Sequence, residues 1–164
     1  MDKSQMPLEA ILQILQDSLV KKTELLIAIE EKSKEQEAIL KKEGFTFKEI
    51  DENMDAKSKL IEQLTLLDNG FETLYEKIRG ELIDKKDLYR VQIEEIQNLI
   101  VEVTARGASI EAIEARNKAA IETYFSKTKK ELQSKKSASS VAHRYYQTAK
   151  KLNNLPPQFL DQKK

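Results

Sequence analysis

The chain has no cysteine and no tryptophan, and only one histidine, four glycines and three prolines among its 164 residues. Without cysteine there can be no disulfide, thiolate zinc site, iron–sulfur cluster or cysteine nucleophile. Such scarcity of glycine and proline argues against a turn-rich β-sandwich or barrel and makes long helices the expectation. No run of about 18 apolar residues occurs and the opening stretch, Met1 to Pro7, is polar, so the sequence predicts neither a spanning helix nor a signal peptide. A cytoplasmic protein with no membrane insertion is the expectation. A lone histidine, His143, and no glycine-rich phosphate loop leave nothing on which to build catalysis or cofactor binding. The chain is therefore expected not to be an enzyme and to have no cofactor, and its function should lie in its surfaces.

What the sequence has in quantity is charge and heptad pattern. From Leu8 onward the steps alternate between four and three through Leu12, Leu15, Leu19, Lys22, Leu26, Ile29, Ser33, Gln36 and Leu40. Ile11, Ile14 and Leu25 widen this stripe, which suits a helix with more than one neighbour. Gly44 then offers a left-handed stop, Thr46-Phe47-Lys48-Glu49 reads as a capping box, and Phe45 and Ile50 occupy the staple positions. Three local devices within seven residues predict a sharp turn into an antiparallel second helix.

The same alternation continues through Ile50, Met54, Lys57, Ile61, Leu64, Asp68, Phe71, Tyr75, Ile78, Leu82, Lys85, Tyr89, Gln92, Ile96, Leu99 and Val103. Its phase survives Asp68-Asn69-Gly70 and Gly80, which favours a helix running through both. Arg106-Gly107-Ala108-Ser109 reads as the next break, followed by a third helix carrying Ile110, Ile113, Ile121, Tyr124, Phe125 and Leu132. The expected fold is all-α: a long antiparallel helical hairpin extended by a third helix. The expected bundle covers 1–133, with helices at about 7–43, 47–104 and 109–133. A flexible basic segment, 134–164, should follow, with Val141, Tyr145, Ala149 and Leu152 on one face of a short amphipathic helix that Pro156 and Pro157 stop.

The neutral total conceals an asymmetry. Residues 1–117 hold 17 basic and 25 acidic side chains, a net of −8, and residues 118–164 hold 11 and 3, a net of +8. Such a basic end can lie on its own acidic body, reach an acidic partner or touch nucleic acid. Tyr145, Tyr146 and Phe159 could stack on single strands, but the segment has no folded platform or RNP-like motif, and nucleic acid is not the expected partner. Metal chemistry fares no better: Glu94 with Glu95, or Glu72 with Glu76, lacks an inward-facing histidine nearby. Tyr75 and Tyr89 read as core rings, and Lys57, Asp68, Lys85 and Gln92 as residues that set register or reach outward. The apolar residues Leu155, Phe159 and Leu160, together with the Val141 to Leu152 stripe, sit on a segment too short for its own core and should seek a groove.

The residues Lys57-Ser58-Lys59-Leu60-Ile61-Glu62-Gln63-Leu64 and Leu67-Asp68-Asn69-Gly70-Phe71-Glu72-Thr73-Leu74-Tyr75, on a second helix after a short turn, resemble the FlgN-type flagellar export chaperones. The likeness covers roughly residues 8–125, and the closing Phe159-Leu160-Asp161-Gln162-Lys163-Lys164 is similar to the ends of some members. The resemblance implies a chaperone that holds late flagellar substrates, the hook-filament junction proteins, and delivers them to the type III export gate. It implies that substrate is bound by the C-terminal amphipathic region, here Ile121, Tyr124, Phe125 and Leu132, extended by Val141, Tyr145, Tyr146 and Leu152. The chain departs from that pattern in the Ser-Lys linker that separates the two sets, and no aromatic is marked out as a gate-docking tyrosine. The rival expectation is a structural coiled-coil scaffold or stalk subunit of a secretion or cytoskeletal assembly. Self-association separates the two readings, with a homodimer left open under either.

Overall fold

The computed structural model describes residues 7–132, with side chains as far as Lys127. The described residues form three helices and no strand: α1 (Leu8–Lys41), α2 (Phe47–Asp84) and α3 (Arg90–Leu132). Their 34, 38 and 43 residues correspond to about 51, 57 and 65 Å at 1.5 Å per residue. The chain is a helical bundle in which α2 runs antiparallel to α1, and α3 reverses again to run alongside α1.

The first turn follows its local chemistry. Thr46 Oγ1 accepts from the Glu49 backbone N–H (3.3 Å) and the Glu49 carboxylate accepts from the Thr46 N–H (2.9 Å), which satisfies donors that the helix end would otherwise orphan. Lys42 pairs with the same carboxylate. Gly44 takes φ +70°, the only positive φ among the described residues, in the turn just past the Lys42 cap of α1. Phe45 and Ile50 pack into one apolar cluster, as staple residues should.

The second turn is not where the pattern placed it. The expected helix over 47–104 divides at Lys85–Tyr89, and Gly107, read as a break, lies inside α3. Both differences have a tertiary cause. Lys22 meets Asp68, and fourteen residues further along each antiparallel helix stand Leu8, the first residue of α1, and Leu82, so α2 turns at the level where α1 can no longer cover it. Asp84-Lys85-Lys86-Asp87 has no apolar residue to extend the core, while the Lys85 carbonyl accepts from the N–H groups of Leu88 and Tyr89 and closes the turn. Gly107 is buried on the face it shares with Val103 and Ile110. On either side of it, Ser109 Oγ donates to Glu30 (2.6 Å) and Arg106 pairs with the same carboxylate (3.6 Å). These contacts hold the helix across a residue worth about 1 kcal/mol of helix propensity against alanine.

The core is one long apolar cluster and one short one. The long cluster joins Leu12, Leu15, Leu26 and Ile29 of α1 to Ile61, Leu64 and Ile78 of α2 and Ile96, Ile100 and Ile110 of α3. The short one, Ile50, Met54 and Ile121 with Phe45 and Phe125 at its margin, closes the end that holds the first turn. The bundle is asymmetric: the backbone of α1 lies close to both other helices, but α2 and α3 do not approach each other closely. Side chains alone span the space between them.

Candidate functional site

Three places in the described structure go beyond plain packing: a buried polar layer, an aromatic end and a groove between α2 and α3. The layer separates the two apolar clusters. Lys57 is fully buried, and its Nζ donates to Glu114 Oε1 (2.6 Å) and Gln36 Oε1 (2.7 Å). Ser33 Oγ donates to the same Glu114 oxygen (2.6 Å), and Asn117 Nδ2 donates to the Ser33 carbonyl (3.0 Å) and to Gln36 Oε1 (3.1 Å). Gln36 Nε2 completes the layer against the Met54 sulfur (3.0 Å). Burial pushes the Lys57 ammonium below the usual lysine range, and the Glu114 carboxylate opposes that shift. All three helices contribute, so the layer fixes their mutual register, the best-attested role of buried polar groups in bundles.

The sequence held a signal for this layer. Ser33, Gln36 and Lys57 are interruptions in otherwise apolar stripes, and Lys22 and Asp68 are two more. Lys22 Nζ lies 2.7 Å from Asp68 Oδ1 between α1 and α2. Burial raises the Asp68 carboxyl above its ordinary value, with Lys22 offsetting part of the rise. Glu114 and Asn117 carried no such signal, because their helix was read from a different start.

The aromatic end gathers residues from the first turn and from α3. The Tyr124 ring lies 4.6 Å from that of Phe45 and 5.4 Å from that of Phe47, and the Phe47 and Phe125 rings stack at 5.8 Å. Such pairs hold about 0.5–1.5 kcal/mol beyond their area. Of the residues named as partner-binding, Ile121 is buried in the short cluster, and Tyr124 and Phe125 are half-buried here. Leu132 ends α3. Val141, Tyr145, Tyr146, Leu152, Leu155, Phe159 and Leu160 lie outside the described residues. Phe45 and Phe47 were not singled out as ring partners; their position at the cap, beside a helix that returns to it, is what brings them in.

The groove lies where α2 and α3 stand apart. Leu19, Phe71, Tyr75, Ile100 and Val103 line a cavity of about 70 Å³, with Lys22 and Asp68 beside them and Glu72, Glu76 and Thr104 among its walls. At the α2–α3 turn Ile83, Leu88 and Val91 are exposed. Among the described residues no cluster of His, Asp or Glu has the arrangement of a metal site. No described helix is long and apolar enough to cross a membrane. No protein-family model, curated protein or solved structure matches the chain.

Proposed function

We propose that the protein is a non-enzymatic chaperone that binds an amphipathic segment of an exported flagellar protein, of the hook-filament junction class, and presents it to the type III export gate. The observation that carries this reading is the end of α3. Tyr124 and Phe125 are half-buried at the bundle's end, and the chain runs on from there into a basic segment bearing Tyr145, Tyr146, Leu152, Phe159 and Leu160. A stiff body with an amphipathic extension can cover a partner helix and release it at modest cost. The helical bundle and the resemblance of residues 8–125 to FlgN-type chaperones support the same reading, and a reduced cytoplasmic location follows from it.

The second reading is a scaffold or stalk subunit, and one feature favours it: Ile83, Leu88 and Val91 are exposed together at the α2–α3 turn, where a second copy could bury them. A secretion assay separates the two. Cells that lack the chaperone should retain the junction proteins and still export hook subunits. Normal junction-protein export in the deletion strain would overturn the proposal.

A further inference from the structure

The two edges of the α2–α3 groove are chemically specific. On α2, positions 51, 55, 58, 62, 65, 69, 72 and 76 follow one helical stripe and hold Asp51, Asp55, Glu62, Glu72 and Glu76, with only uncharged polar residues between them. This stripe is the groove side, since Glu72 and Glu76 wall the cavity, while the other edge of α2 turns to α1 through the bond from Asn53 to the Lys32 carbonyl (2.9 Å). On α3 the matching stripe holds Thr104, Ala108, Glu111, Ala115, Lys118 and Glu122. Thr104 is in the cavity wall, and the opposite edge is held to α1 by Arg106 with Glu30 and Arg116 with Glu37. Glu76 has a neighbour of opposite sign in Arg79, but that pair is solvent-exposed and binds little. The groove thus has an apolar floor, one acidic wall and one wall of small and mixed residues.

We propose that this groove holds the chain's own C-terminal segment, with residues 141–155 lying along it as a fourth helix antiparallel to α3. Charge, pattern and reach all fit. Residues 133–164 hold seven basic side chains and one acidic, the complement of the α2 wall. Val141, Tyr145, Leu152 and Leu155 recur at helical spacing, and Arg144 and Lys151, seven apart, border that stripe. The far end of the stripe fits the floor of Phe71, Tyr75, Ile100 and Val103, and the bordering cations Arg144 and Lys151 then stand at the levels of Glu62 and Glu72 on the acidic wall. From the end of α3 back to Val103 is about 44 Å at helical rise. A linker over 133–140, extended, followed by a helix over 141–155 spans about 49 Å, so the segment reaches the cavity. Mobility was the expectation for this segment because it has too little apolar area to form a core of its own; the groove supplies the missing half. The docking needs no second protein, and because it buries Tyr145 and Leu152, a partner that used them would have to displace the segment from the groove.

Because the chain has no cysteine, one introduced thiol gives a clean label on the full-length protein. With Asn153→Cys carrying a nitroxide, amide signals of Glu72, Glu76 and Thr104 should fall to under a third of those at Lys21 and Glu24, which lie on an exposed face of α1. Glu72→Lys together with Glu76→Lys should restore more than half of the lost intensity, with the helical circular dichroism unchanged. Uniformly sharp α2 and α3 signals would overturn the proposal. So would broadening that appears only between spin-labelled unenriched chains and enriched unlabelled ones, which would make a second copy the occupant.

Discussion

Lys57 Nζ lies 2.6 Å from Glu114 Oε1, in a pair that side-chain exposures of 0% and 6% remove from water. Breaking such a pair leaves the other charge buried, a loss of about 3–5 kcal/mol, whereas replacing both members by apolar residues of similar volume is often neutral. Lys57→Met alone should therefore lower the unfolding free energy by about 3 kcal/mol. Adding Glu114→Leu should recover most of it. Urea unfolding of the two singles and the double closes the cycle, and additive losses would mean that the layer does not act as a unit.

The first turn should depend on its cap. Thr46→Ala removes the acceptor for the Glu49 N–H and should cost about 1 kcal/mol. A loss below about 0.3 kcal/mol in the same unfolding experiment would mean that the packing of Phe45 and Ile50 fixes the turn by itself.

Acid should weaken the bundle along a predictable limb. The hydrogen bond from Arg116 holds the Glu37 carboxyl below its ordinary value of 4.5, and Lys42 with the Thr46 N–H does the same for Glu49. A carboxyl whose folded value is lowered contributes stability that is present above its unfolded value and is lost as pH falls through the folded one. The loss from these two should thus begin only below about pH 4.5. Asp68 runs the other way: burial raises it above 3.8, so its contribution is present below 3.8 and is lost as pH rises through the folded value. Glu37→Gln should flatten the acid limb of the stability profile, and Asp68→Asn should steepen it. Identical acid limbs in wild type and Glu37→Gln would contradict the assignment.

The first turn was legible because Gly44, Thr46, Glu49 and Ile50 signal it within a few residues. The core face of α2 was equally legible: Ile50, Met54, Ile61, Leu64 and Ile78 are all buried where the alternation put them. The second turn was not, because a heptad phase carries no record of where its partner ends. Ile96 and Val103 kept the rhythm of Leu82 across a chain reversal, and only the level of Leu8 on α1 shows why the helix turns at Lys85. Gly107 misled for the complementary reason, since the bonds that keep α3 intact there come from Glu30, 77 residues earlier. At the aromatic end the rings Tyr124 and Phe125 were visible in sequence, but their neighbours Phe45 and Phe47 depended on α3 returning to the first turn.

The ring cluster gives the binding reading a handle inside the described fold. Tyr124→Ala with Phe125→Ala should weaken a complex with an amphipathic segment by about tenfold or more, a change of about 1.4 kcal/mol. Fluorescence anisotropy on a labelled segment reads it. Thermal unfolding of the same variant must be measured beside it, because rings that only close the bundle would lower the melting temperature and leave affinity unchanged.

A chaperone of this kind binds a terminal segment of an exported flagellar protein. Calorimetric titration of the full-length protein with the terminal segments of the hook-filament junction proteins of its own cell tests it most directly. The expected result is a saturable complex of defined stoichiometry with at least one of them, formed by a chain that sediments without assembling into a larger array. Absence of binding to every segment at tens of micromolar, from a chain that sediments as a stable oligomer, would contradict the claim and make the scaffold reading the better one.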